Sequence, residues 1–284
     1  MTSARRASDP RENDGRLTST GRQQTYLSDD NPFPAERTAV ITGAASPRGI
    51  GRATADRLAR DGWSIAILDL DGEAAKRTAA EIGGNRSVAS LGVAADVADP
   101  DSVEAAIAQV EASLPPIIGL ANVAGISSPV DFLDLTIAEW DRVFDINMRG
   151  AFLVTRRVVP AMLAAGVGRI VSVSSTSAQR GGGTYSKVPY SASKAALIGF
   201  SRALARELSP HGITVNCVAP GPIDTDIMGG TLTQERKAEL GADSMVGRVG
   251  TVGEVAALMA FLLSQDAGYI TAATYDINGG LQVS

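Results

Sequence analysis

Cysteine and histidine are almost missing from this chain: Cys217 and His211 each stand alone. One cysteine cannot form an intramolecular disulfide, and no Cys/His cluster has metal-ligand spacing, so no metal site is expected. Cys217 lies in the apolar stretch ITVNCVAP and reads as a buried structural thiol. His211 follows Ser209-Pro210 at a helix-to-strand junction and reads as a solvated loop residue. No apolar run reaches the ~18 residues that a membrane-spanning helix needs. No apolar h-region has the form of a secretory signal. Positive charge is not in excess. The 26 Lys and Arg stand against 31 Asp and Glu, a net charge of −5, which leaves no electrostatic footprint for nucleic acid. These absences point to a cytoplasmic protein with neither nucleic acid nor membrane as partner. Aromatic residues make up only 5%, leaving few rings to wall a large flat ligand.

What is present suits one large α/β domain. The chain has 284 residues, 44% of them hydrophobic, enough for a substantial core. Residues 1–36 are polar and aperiodic, with arginines and acids interspersed, and read as a flexible N-terminal extension. From residue 37 to 284 strand-like and helical patterns alternate. Apolar runs at 38–42, 64–68, 90–95, 117–121, 169–174, 213–219 and 274–278 read as strands. Helical spacing recurs at 50–61, 73–82, 99–113, 139–165, 190–208 and 251–264. Such alternation predicts a single Rossmann-type, doubly wound domain, with a mostly parallel seven-stranded sheet and helices on both faces.

The first strand runs into TGAASPRGIGRATADRLARDG, where Gly43, Gly49 and Gly51 lie between strand and helix. Glycines there permit a tight turn and close backbone approach to a pyrophosphate resting on the helix N-terminus. Ser46, Arg48 and Ile50 complete the loop. The second strand ends in Ile67-Leu68-Asp69, followed by Leu70. An acid at that position hydrogen-bonds the adenosine ribose hydroxyls and repels a 2′-phosphate, which favours NAD. Arg48, a cation within the loop, keeps NADP open. Far along the chain, Tyr190 and Lys194 stand four residues apart in VPYSASKAALIGFSRALARELS and share one helix face. Free tyrosine titrates near pH ~10. A neighbouring cation favours the phenolate, so the pair is a device for moving the proton of an alcohol.

With these residues in hand, the chain resembles the short-chain dehydrogenase/reductase family over about residues 36–284. The motifs recur in the family's order: TGAASPRGIG, ADV at 95–97, NVAG at 122–125, Asn147, SVSS at 172–175, YSASK at 190–194 and PGPIDT at 220–225. The resemblance implies that Asp96 and Val97 contact adenine and that Asn122, Ala124 and Gly125 lie beside the cofactor. It implies that Asn147 holds a water of the proton relay, that Ser175 hydrogen-bonds the reacting oxygen and that Tyr190 is the acid–base residue. Lys194 would bind the nicotinamide ribose and lower the tyrosine pKa. Pro220, Gly221, Ile223 and Thr225 would hold the carboxamide end of nicotinamide. The family pattern also implies a homotetramer. Three departures stand out: two extra residues in the Gly-rich loop, Val123 in place of a second asparagine, and a Ser175-to-Tyr190 spacing longer than usual. The last makes Ser174 and Ser177 competitors for the serine role.

The expected chemistry is reversible hydride transfer between NAD and a small-molecule alcohol or carbonyl. Ser127, Ser128, Thr184, Tyr185, Ser186 and Lys187 offer hydrogen bonds around the site and favour a small hydrophilic alcohol of polyol or sugar type. An NADP(H)-dependent 3-oxoacyl thioester reductase is the alternative, with Arg48 as its support. A non-catalytic dinucleotide-binding sensor requires a broken Ser/Tyr/Lys set, and the set here is intact.

Overall fold

The computed structural model describes residues 33–283. In chain order its elements are β1 (Thr38–Thr42), α1 (Ile50–Arg60), β2 (Ser64–Asp69), α2 (Gly72–Arg86), β3 (Ser90–Ala94), α3 (Pro100–Ser113) and β4 (Ile117–Asn122). Next come α4 (Ile137–Phe144), a π-helical turn (Asp145–Arg149), α5 (Gly150–Ala165), β5 (Gly168–Val173), α6 (Ser177–Arg180) and α7 (Val188–Leu208). The chain then forms β6 (Ile213–Pro220), α8 (Gln234–Ala242), α9 (Val252–Leu263) and β7 (Thr274–Ile277). The seven strands form one sheet in the order β3-β2-β1-β4-β5-β6-β7, every pair parallel. The order reverses between β1 and β4, and ligands of doubly wound sheets bind outside the carboxyl ends of the strands at such a switch point.

Side-chain alternation along the strands divides the core into two layers. Ile41, Ile65, Ile67, Ile118 and Val171 pack with Leu58 of α1, Ile82 of α2 and Met259 of α9. Val40, Ala66, Leu68, Leu120 and Ile170 pack on the other face with Ile107 of α3, Val158 of α5 and Leu208 of α7. Both faces are covered, which is why the strands read as continuous apolar runs and not as alternating ones.

Residues 1–32 of the expected polar extension lie outside the described residues. The compact unit begins at Phe33, inside the span read as extension. The Phe33 ring meets Trp63 edge-on at 5.6 Å, and the Arg37 guanidinium lies 4.7 Å from the Trp63 ring centroid. Among the described residues no helix is long and apolar enough to cross a membrane, and no group of three or more His, Cys, Asp or Glu is placed to hold a metal.

Candidate active site

The carboxyl ends of β1, β4, β5 and β6 open into a cleft of about 640 Å³. Gly43, Ser46, Gly49 and Ile50 line one wall; Ser175, Tyr190 and Lys194 line it beside Pro220, Gly221, Ile223 and Thr225. Two of the glycines have a physical requirement. Gly43 sits at φ +66°, and a Cβ there would lie 2.7 Å from the Ala124 Cα. A Cβ on Gly51 would lie 2.6 Å from the Gly43 carbonyl oxygen. The N-terminus of α1 has no side-chain cap and no acid in its first turn. By contrast α2, α3 and α4 start on Asp71, Asp99 and Thr136, whose side chains accept backbone N–H groups. The first N–H groups of α1 thus remain for an anion, and the residues present fit a dinucleotide pyrophosphate.

At the end of β2 the half-buried Asp69 accepts from Ala45 N–H at 2.9 Å and from Asp71 N–H at 3.3 Å. These bonds fix the carboxylate against the Gly-rich loop. Leu70 beside it is 76% exposed. Asp96 is exposed after β3 and accepts from Ala98 N–H at 2.9 Å, while Val97 packs beneath Gly150. None of these four lines the main cleft; they lie at the ends of the neighbouring strands. Asn122 also turns away from it: its amide donates to Thr155 at 3.0 Å and Ser172 at 3.4 Å, tying β4 to α5 and β5. Ala124 is held by its backbone N–H on the Thr42 hydroxyl at 3.1 Å.

Arg48 has a different place from the one its charge suggested. Its guanidinium is held by Asp224 at 2.6 Å and by Asp226 at 3.4 Å, and it donates to the Thr231 hydroxyl. Lys237 of α8 reaches Asp224 from the other side at 2.6 Å. The loop cation clasps the segment beyond β6, with its donors engaged by two carboxylates and a hydroxyl.

The candidate catalytic residues converge at the cleft. Tyr190 and Lys194 are buried, with the Lys194 Nζ 5.7 Å from the Tyr190 ring centroid and donating to the Val173 carbonyl at 2.7 Å. Burial pushes the Tyr190 phenol above its usual range, and a hydrogen bond with Ser175 pulls the other way. Burial lowers Lys194 to about 8. The protein alone thus sets the phenol in the opposite direction from the lowering expected of the lysine. The serine competition is resolved by partners. Ser174 donates to the Lys194 carbonyl at 2.8 Å and is structural, whereas Ser175 faces Tyr190 and accepts from Ser177 N–H at 3.1 Å.

Asn147 sits in the π-helical turn between α4 and α5, a local irregularity frequent at functional sites. Its side chain accepts from Ile126 N–H at 2.8 Å and donates to the Ile126 carbonyl and the Ser193 hydroxyl at 3.0 Å each. Both ends of the amide are engaged by protein. The side chain therefore positions the chain after β4 against α7. A Cβ on Gly125 would lie 3.1 Å from Asn147 Oδ1 and 3.3 Å from Lys194 Nζ, so these three groups are contiguous. Ser193 carried no signal in the sequence; it is one more serine in a helix until Asn147 meets it.

The polar residues read as a polyol site are largely engaged elsewhere. Ser127 donates to the Tyr185 carbonyl, Lys187 pairs with Asp131 at 2.5 Å, and Ser128 is fully buried. These three do not line the cleft; Thr184, Tyr185 and Ser186 do, with Ile227, Leu240 and Leu281 as apolar wall.

A family model described as enoyl-(acyl carrier protein) reductase matches residues 43–282. A short-chain type dehydrogenase/reductase of Sinorhizobium fredii is 42% identical, covering 87% of this chain and 98% of that protein. The 3-oxoacyl-(acyl-carrier-protein) reductase of Aquifex aeolicus is 38% identical, covering 86% of this chain and 97% of that one. The crystal structure of a 3-oxoacyl-(acyl-carrier protein) reductase from Brucella melitensis matches with a TM-score of 0.81 at 33% identity, covering 89% of this chain and 97% of that one. With these matches and the converging Ser175, Tyr190 and Lys194, the chain belongs to the short-chain dehydrogenase/reductase family and is an oxidoreductase.

Proposed function

We propose that the protein interconverts a 3-oxoacyl thioester and its 3-hydroxy form, with NAD(H) as the preferred cofactor. The observation that carries this reading is near-full-length similarity to proteins named 3-oxoacyl-(acyl-carrier-protein) reductase. The aliphatic cleft wall at Ile227, Leu240 and Leu281 supports an acyl substrate. The burial of Ser128 and the engagement of Ser127 and Lys187 away from the cleft remove half the support for the polyol reading, which takes second place on Thr184, Tyr185 and Ser186 alone. Hydride exchange with the substrate carbon is the chemistry a bound nicotinamide supplies. The chain's own part is to orient and protonate. Ser175 fixes the keto oxygen, Tyr190 donates the proton to it, and Lys194 places positive charge beside the phenolate left behind. The NAD preference rests on Asp69 at the end of β2, and on the engagement of Arg48 by Asp224 and Asp226. We also read the working form as a homotetramer.

Initial rates with a 3-oxoacyl thioester and with a set of polyols and sugars, each with NAD(H) and NADP(H), test the reading. Faster turnover of the thioester pair with NAD(H) supports it. Turnover of polyols alone overturns the substrate, and a preference for NADP(H) overturns the role of Asp69.

A further inference from the structure

The cleft contains a basic side chain that the proposed chemistry does not use. Arg180 closes α6, the single helical turn that follows Ser175, and both residues line the cleft. The neighbouring Gln179 donates to Asp276 at 3.0 Å, so that side chain is held toward β7 while Arg180 is left on the cleft wall. The other cations of the cleft are engaged. Arg236 pairs with Glu239 at 2.7 Å and lies over the Tyr185 ring, and Lys194 is buried on the Val173 carbonyl. Among the described residues, Arg180 has no carboxylate within salt-bridge distance. Three glycines follow it, and Gly182 is forced: a Cβ there would lie 1.2 Å from the Ser186 carbonyl oxygen. A side chain at that point would push the loop off Ser186, so the turn after Arg180 needs glycine; Arg180 itself is exposed at the cleft.

We propose that Arg180 is a specificity-determining residue that binds an anionic group of the substrate, a carboxylate or a phosphate, and holds its carbonyl against Ser175 and Tyr190. A planar guanidinium with no acid of its own matches either oxyanion in bidentate fashion. The apolar wall beside it takes the carbon chain. The substrate class is a ketone that is both aliphatic and negatively charged; this deepens the thioester reading and rests on it.

The test compares the wild type with R180A and R180K on 3-oxobutanoate, its neutral methyl ester and its coenzyme A thioester. Arg180→Ala should raise KM for the charged substrates about tenfold to a hundredfold, with kcat changed little. The methyl ester should stay within about twofold, and Arg180→Lys should recover part of the loss. An effect on 3-oxobutanoate alone identifies a carboxylate ligand, and an effect on the thioester alone identifies its phosphates; either supports the inference. Equal losses on all three substrates would mean that Arg180 only shapes α6, and no loss on any would mean that it touches no substrate; both overturn it. If the wild type reduces none of the three, the thioester reading falls by itself. The same variants are then compared on a polyol and its phosphate ester, where equal effects on the two overturn the inference.

Discussion

Tyr190 and Lys194 are each pushed toward their neutral forms by burial, the phenol upward and the ammonium down to about 8. The spacing of the pair was legible from the sequence because i and i+4 share a helix face. The direction of the tyrosine shift was not, because it depends on how much protein covers the ring, and charge proximity was the only cause the sequence displayed. The observed direction has a consequence for catalysis. A raised phenol is protonated at neutral pH and ready to donate, which suits reduction. As pH rises through about 8, Lys194 loses its charge and stops stabilising the phenolate that donation leaves. We expect kcat/KM for ketone reduction to hold through neutral pH and to fall as pH rises through about 8. A pH profile of reduction checks this; a reduction rate that rises with alkalinity contradicts it.

Strands were the most legible elements, since a parallel sheet covered on both faces leaves uninterrupted apolar runs such as TAVIT at β1. The stretch 139–165 read as one helix, yet the structure divides it into α4, the π-helical turn and α5. Apolar periodicity continues across such a turn, so the division that places Asn147 is invisible to a pattern of spacing. Val154, Val158 and Met162 of α5 are fully buried against the sheet and offer no contact surface. The helix α8 went unread because its sequence QERKAELGA is polar and has one buried residue, Gly241. That helix carries Lys237, and with Asp224 and Arg48 it joins the Gly-rich loop to the segment beyond β6. The Ser-Pro-Arg insertion in that loop thus has a structural use: it carries Arg48 to carboxylates 176 and 178 positions later in the chain. Long-range ion pairs of this kind leave no local trace in a sequence.

Large apolar side chains remain exposed at several places among the described residues, Phe152 and Leu163 of α5 and Phe261 of α9 among them. Phe132, Leu133 and Ile137 lie before and at the start of α4, and Met245, Val246 and Tyr269 lie in the segments after α8 and before β7. We expect part of this apolar surface to be covered by other copies of the chain in a closed assembly. Light scattering at micromolar concentration should give the mass of four chains; a monomer contradicts the assembly. We expect this protein to pass a hydride to a carbonyl carbon while Tyr190 protonates the oxygen. The most direct measurement follows deuterium from reduced nicotinamide labelled at both C4 positions into the alcohol formed from a 3-oxoacyl thioester, in the wild type and in Tyr190→Phe. The wild type should place deuterium on the carbinol carbon, and the variant, still folded and still binding cofactor, should lose about 10²–10⁴-fold in rate. Product without deuterium at that carbon, or a Phe variant with near-normal turnover, would contradict the account.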